Sequence, residues 1–434
     1  MSRHLSTDSL IVDKTYTDPR TVTLRVPQPL HDHLYRINPL VRQDGYPWHR
    51  WAEPSDGSYP LNIQKFVSIL ARLGRGENEL GDVHPREYVS GVAPINDDTI
   101  RLYGIVQVFI IRDGKVLRPS GKTGAFVSLI QNAIGMAKKY EGVESSLKLL
   151  TEGDFPLIYD SNDYPWCGDD LVPVFRLNAI KSRKCKHAWP VLSLTYFTDV
   201  TNIQLLESPY NWDEIMTRWD QTYPWSTKIP KVVWRGRMTG YTYRDGERPR
   251  QKLVEYAKSH SDIMDIESTN KNNTIDQDDF QNFMAILDID GNAWSARFAK
   301  LLCYSSVIIK VDPTYVGYWD NEVEPWVHYL PVRADFSDLE KTVRYAINPA
   351  NAEHIAWIIK NAQAFCRTKL TIEQHTVDIL WTLLAYAELL AKSSDFLLAW
   401  KSNKDAYDMP SLNMKAWPGR GPEAVFKHLQ DFAG

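Results

Sequence analysis

The stretch from Phe283 to Val311 constrains the fold of this chain most. Phe283 to Ile289 is a mostly apolar run closed by Asp290-Gly291, a helical segment is expected to open near Ser295, and Ser306 to Val311 is a second apolar run. Short apolar runs bounded by turn residues have the pattern of buried strands, and two of them joined through a helix make a unit that belongs in a parallel sheet. Such a unit sets a helix start beside the carboxyl end of a strand, where free backbone N–H groups attract anions. Arg297, expected in the first helical turn, adds a planar cation suited to phosphate. An Asp-Gly corner before an amphipathic helix also occurs with nothing bound, so the segment alone leaves both readings open.

A second loop of the same kind lies upstream. Lys231 to Val233 reads as a strand that breaks into Trp234-Arg235-Gly236-Arg237-Met238-Thr239-Gly240, followed by a helix from Arg248 to Ala257. Arg235 and Arg297, with the backbone N–H groups of Gly236 and Ser295, would form a diphosphate clamp, and Arg237 and Gly291 lie in the same two loops. When a nucleoside diphosphate leaves a sugar it gains negative charge, which fixed arginines can stabilise in place of a metal ion. Asp288-x-Asp290 admits another reading, as an Asp-x-Asp pair that holds a divalent cation, or simply as turn residues before glycine.

At 434 residues the chain is long enough for two domains. The expected division is an extended arm over 1–60, a first domain over 61–229, a second over 230–370, and a C-terminal helix and tail over 371–434 that packs back on the first domain. Pro224 to Pro230 supplies the crossing. In the first domain, Ile100 to Ile111 and Val116-Leu117 read as a hairpin about Arg112-Asp113-Gly114-Lys115, and Phe155 to Asp160 as a strand. That strand delivers Asn162-Asp163-Tyr164-Pro165, so Asp163 is the candidate base for deprotonating an acceptor hydroxyl, with an Asx-turn before proline as the competing role. Trp326 to Val332 is expected to be a further buried strand, with capping boxes at Ser337 to Glu340 and Thr371 to Gln374.

Several classes are excluded. Ser120-Gly121-Lys122-Thr123 contains Gly-Lys-Thr, but Val116 stands where a phosphate loop needs its first glycine. A net charge of −4 argues against nucleic acid as a partner. Val377 to Ala391 carries Asp378 and Glu388, which disfavours a membrane span. The first 20 residues are polar and have no signal-peptide core, so a soluble, cytoplasmic chain is expected. Four cysteines do not build a disulfide scaffold, and Cys167, Cys185 and His187 lack zinc-site spacing. Fifteen tryptophans and 22 tyrosines are mostly core material, although sugar faces also pack on such rings.

Taken in order, five segments resemble glycosyltransferase family 90, the Rumi-type protein O-glucosyltransferases and fungal capsule-associated xylosyltransferases. They are Phe109 to Lys115, Asn162 to Pro165, Trp234 to Arg237, Asp290 to Phe298 and Pro325 to Val332. The resemblance implies a GT-B fold, two facing Rossmann-like α/β domains with a cleft between them. It also implies metal-independent, inverting transfer of xylose or glucose from UDP-xylose or UDP-glucose to a glycan or protein acceptor. Asp163 matches the family's catalytic base, here after Asn162 in place of an arginine; Arg235 and Arg297 match its diphosphate arginines. No cofactor beyond the donor is implied, and Asp288 and Asp290 become turn-formers. Secreted members pair the cysteine equivalent to Cys303 with one about ten residues before the Asp-Gly glycine, where this chain has Gln281. A catalytically silent, glycan-binding or scaffolding protein of the same fold is the alternative.

Overall fold

The computed structural model describes residues 106–118, 144–152, 154–160, 174–176, 179–180, 188–189, 212–240, 248–270, 273–291, 294–316 and 323–370, with short runs at 12–13, 21–25, 58–62, 130, 133–135, 379–380, 383–384, 386–387 and 415–416. The chain divides into two compact units: residues 1–194, 316–321 and 375–434 in one, residues 195–315 and 322–374 in the other.

In the first unit, β1 (Val12–Asp13), β2 (Thr21–Arg25) and β3 (Ser58–Asn62) pair antiparallel. The expected hairpin is present as β4 (Val106–Arg112) and β5 (Lys115–Arg118). Its turn residues Asp113 and Gly114 both have positive φ, 48° and 70°, the two-residue geometry that matches strand twist. Helix α1 (Glu144–Thr151) leads to β6 (Asp154–Asp160), then β7 (Val174–Arg176), β8 (Ala179–Ile180) and β9 (Ala188–Trp189). β6 lies antiparallel to β4 and parallel to β7. Tyr386, fully buried, donates to the carbonyl of Pro156 at 2.6 Å and meets Phe175 edge-on, so a residue near the C-terminus helps close this sheet's core.

The second unit begins with α2 (Trp212–Thr222), a 3-10 turn at Trp225–Thr227 and β10 (Ile229–Gly236). Helix α3 (Pro249–Lys258), with proline in its first turn, leads to β11 (Met264–Ser268) and then β12 (Phe283–Asp288). A single helical turn, α4 (Phe298–Leu301), precedes β13 (Val307–Val311), β14 (Tyr315–Val316) and β15 (Leu330–Val332), and α5 (Leu339–Ile347) and α6 (Ala352–Lys369) follow. In the first unit, a final strand β16 (Lys415–Ala416) pairs with β5.

Five of these strands form one parallel sheet in the order β11-β10-β12-β13-β15. β13 is buried at every position and β12 at all but one, the unbroken apolar pattern of a sheet covered on both faces. Val232, Trp234, Leu253, Leu287, Ile309, Leu339 and Ile355 belong to its core. Counted within the sheet, the strand order is 2-1-3-4-5, a doubly wound order in which the direction of strand succession switches between β10 and β12.

Four expectations are corrected. The helix expected from Ser295 is a one-turn element that starts at Phe298, with Arg297 as its N-cap, too short to present a helix-end anion site. The Trp326–Val332 strand shrinks to Leu330–Val332, because Trp326 adopts φ of 65° in a turn where its N–H donates to Tyr329 O. The Ser337–Glu340 capping box does not form: Asp338 is the N-cap, Ser337 donates to Asp335, and Glu340 pairs with Arg344 at 2.9 Å. Asp288 is a buried anchor rather than a turn-former. The Thr371–Gln374 box, Cys167 and Cys185 lie outside the described residues.

Cys303, just past α4, is disulfide-bonded to Cys366 on α6, with a Cα–Cα distance of 5.4 Å across 63 residues. Closing a loop of that length removes roughly 4 kcal/mol of unfolded-chain entropy in the simple chain-entropy account. Gln281 is fully buried and serves a different purpose. Its Oε1 accepts from the Ser305 N–H at 3.0 Å and from Ser305 Oγ at 3.1 Å. Lys228 Nζ donates to Gln281 O, to Ser305 Oγ and to Ser306 Oγ, and burial brings its pKa down to about 8. Among the described residues, no helix is long and apolar enough to cross a membrane.

Candidate functional site

The loops after β10 and β12 leave the carboxyl edge of the sheet at its switch point, the place where open α/β sheets bind ligands. They touch. A Cβ on Gly240, whose φ is 99°, would come within 2.7 Å of the Gly291 carbonyl oxygen, so only glycine lets the backbones approach this closely. Gly236 is held to glycine by another neighbour, since a Cβ there would meet the Trp234 ring at 2.6 Å.

Asp288 anchors the second loop from below. It is fully buried at the end of β12, accepts from Ser295 Oγ, and pairs with Lys310 Nζ at 2.9 Å. Parallel pairing puts Lys310 on β13 directly beside it, and the ammonium lies 3.7 Å from the Phe298 ring centroid. The Ser295 hydroxyl is thus committed to Asp288, which leaves its backbone for any ligand role.

Asp290 fastens the same loop to the start of β14, accepting from the N–H groups of Thr314 at 2.7 Å and Tyr315 at 3.2 Å. Burial pushes its carboxyl from 3.8 up to about 7, against the pull of Lys310 and the two N–H groups. A carboxyl raised in the folded state keeps its proton where the unfolded chain has lost it, so this group lowers stability as pH rises from about 4 to about 7. Asp290→Asn keeps an acceptor oxygen and removes the titration. It is expected to flatten that slope and raise stability above pH 7 by on the order of 1–3 kcal/mol. Thermal melts from pH 4 to pH 9 check this, and parallel profiles for the two proteins would contradict it.

The three sequence-predicted arginines have different surroundings. Arg235 is buried, and its guanidinium turns to β11, where Nη2 meets Asp265 Oδ1 at 2.6 Å and Nη1 donates to Asp265 O at 2.8 Å. Its backbone carbonyl accepts from Arg297 Nη1 at 2.6 Å. Arg297 makes no other hydrogen bond among the described residues, so most of its donors remain available. Burial lowers its pKa, and the Asp288 charge opposes the shift. Arg237 is exposed on the first loop, and its side chain has no partner among the described residues. Asp163 lies outside the described residues.

Arg250, on α3, was missed from sequence. It is 8% exposed and reaches both loops, but an arginine in the first turn of a helix, directly after proline, carries no local sign of that reach. Its guanidinium carbon lies 5.4 Å from the Trp234 ring centroid, and that of Arg297 lies 6.0 Å from it.

The sequence profile of glycosyl transferase family 90 matches residues 127–396. The chain is similar to protein O-glucosyltransferase 2 of Danio rerio, 31% identical over 159 residues, which are 34% of this chain and 30% of that protein. It is 26% identical over 176 residues to human protein O-glucosyltransferase 3, covering 38% of this chain and 33% of the relative. It is 25% identical over 208 residues to human protein O-glucosyltransferase 1, covering 45% and 50%. The chain thus spans from about a third to half the length of these relatives. With well over half of its residues matched by that one profile, the chain belongs to glycosyl transferase family 90.

Proposed function

We propose that the chain is a metal-independent, inverting glycosyltransferase of GT-B type that moves glucose or xylose from a UDP-sugar to a hydroxyl of a glycan or protein acceptor. One observation carries the donor half: two glycine loops meet at the sheet's switch point, with Arg297 keeping free donors and Arg237 exposed beside them. Backbone N–H groups of Gly236, Gly291 and Ser295 would complete the diphosphate site, and Arg235 would contribute by holding Arg297 through its carbonyl. In the reaction, the acceptor oxygen bonds to the anomeric carbon as the bond to UDP breaks. The electron pair leaves on the diphosphate, and the acceptor proton passes to Asp163. The relatives' names favour glucose as the sugar, and the Cys303–Cys366 bond suits an oxidising compartment.

The test is UDP release from a panel of UDP-sugars with EDTA present. Release from UDP-glucose or UDP-xylose is expected to persist in EDTA, and Arg297→Ala is expected to lower kcat/KM by about 100- to 1000-fold. No release from any donor would favour the silent, glycan-binding alternative. Loss of release in EDTA would overturn metal independence.

A further inference from the structure

We propose that Arg250 is the positioning residue that joins the two donor loops into one anion-binding surface, an inference that rests on the donor-site reading above. Its donors divide between the loops. Nη1 donates to Arg237 O at 3.0 Å and Thr239 Oγ1 at 2.9 Å on the first loop. Nε donates to Asp290 O at 2.9 Å and Nη2 to Ile289 O at 3.2 Å at the end of β12. Four of the five guanidinium N–H groups are thus engaged, so Arg250 shapes the site rather than offering a full fork to phosphate.

The geometry depends on a planar, five-donor cation. The four acceptors surround the guanidinium from two chain segments, and a Cβ on Gly291 would meet Nη2 at 3.0 Å. A lysine ammonium carries the charge but donates from one point, so it cannot span both loops. The charge balance also matters. Among the described residues, only neutral oxygens bond to Arg250; Asp288 and Asp290 act on it from farther away, and Arg297 repels it. Burial lowers its pKa to about 10, which keeps it charged at neutral pH. Arg250 and Arg297 therefore place two cations about one indole, with no carboxylate in contact with either guanidinium among the described residues. An arriving diphosphate would meet a field that is not already cancelled.

The experiment measures UDP affinity by calorimetry for wild type, Arg250→Lys and Arg250→Ala, and repeats the last with guanidinium ion at non-denaturing concentration. Arg250→Lys is expected to bind UDP about 10- to 100-fold more weakly, with the KM for the UDP-sugar rising by a similar factor and kcat falling less. Guanidinium ion is expected to restore UDP binding to Arg250→Ala by occupying the vacated acceptors, a response that a general loss of stability would not give. If Arg250→Ala does not fold, Arg250→Lys carries the test. Wild-type affinity in Arg250→Lys, or a folded Arg250→Ala that guanidinium leaves unrescued, would overturn the role of Arg250 alone. No UDP binding by wild type would overturn the donor reading and this inference with it.

Discussion

Asp163→Asn is expected to lower turnover by about 100- to 10,000-fold while UDP binding stays at the wild-type level. Asparagine keeps the size and the hydrogen-bonding oxygen of aspartate but cannot take the acceptor's proton. Steady-state rates as a function of pH give a second readout. If Asp163 is the base, the wild-type rate rises as its carboxyl ionises, and the variant's residual rate lacks that limb. Unchanged turnover would remove Asp163 from the mechanism, whereas lost UDP binding would assign it to the donor instead.

The second large effect concerns stability. Asp288→Ala would remove the buried carboxylate that meets the Lys310 ammonium at 2.9 Å where β12 and β13 pair. Breaking a buried pair from one side costs about 3–5 kcal/mol, which for a unit of this size is a fall in melting temperature of roughly 6–20 °C. The double variant Asp288→Ala/Lys310→Met removes both charges and is expected to recover much of the loss. A melting temperature unchanged in the single variant would show that water reaches Lys310 and that the pair is not the anchor described above.

Elements marked by local pattern were legible in the sequence. The hairpin at Asp113-Gly114, β10, β12, β13 and α3 lie where runs of apolar residues and turn chemistry put them. What escaped was set by partners far along the chain. Asp288 looked like a turn residue because Lys310, 22 positions away, becomes its neighbour only when β12 and β13 pair. Arg235 and Arg297 looked equivalent because their loops are alike, yet Asp265 on the adjoining strand occupies the first. The capping box at Ser337 failed for a similar reason: Glu340 finds Arg344 one turn ahead and His260 on another segment. Arg250 had no local signature at all, since its four acceptors come together only after two loops have met.

The path of the chain between its two units carries a consequence for ancestry. It passes from one to the other four times, at 194/195, 315/316, 321/322 and 374/375. Neither unit is a continuous stretch, so one recombination breakpoint could not trade either for a homologous copy, and deletion from one end could not release it whole.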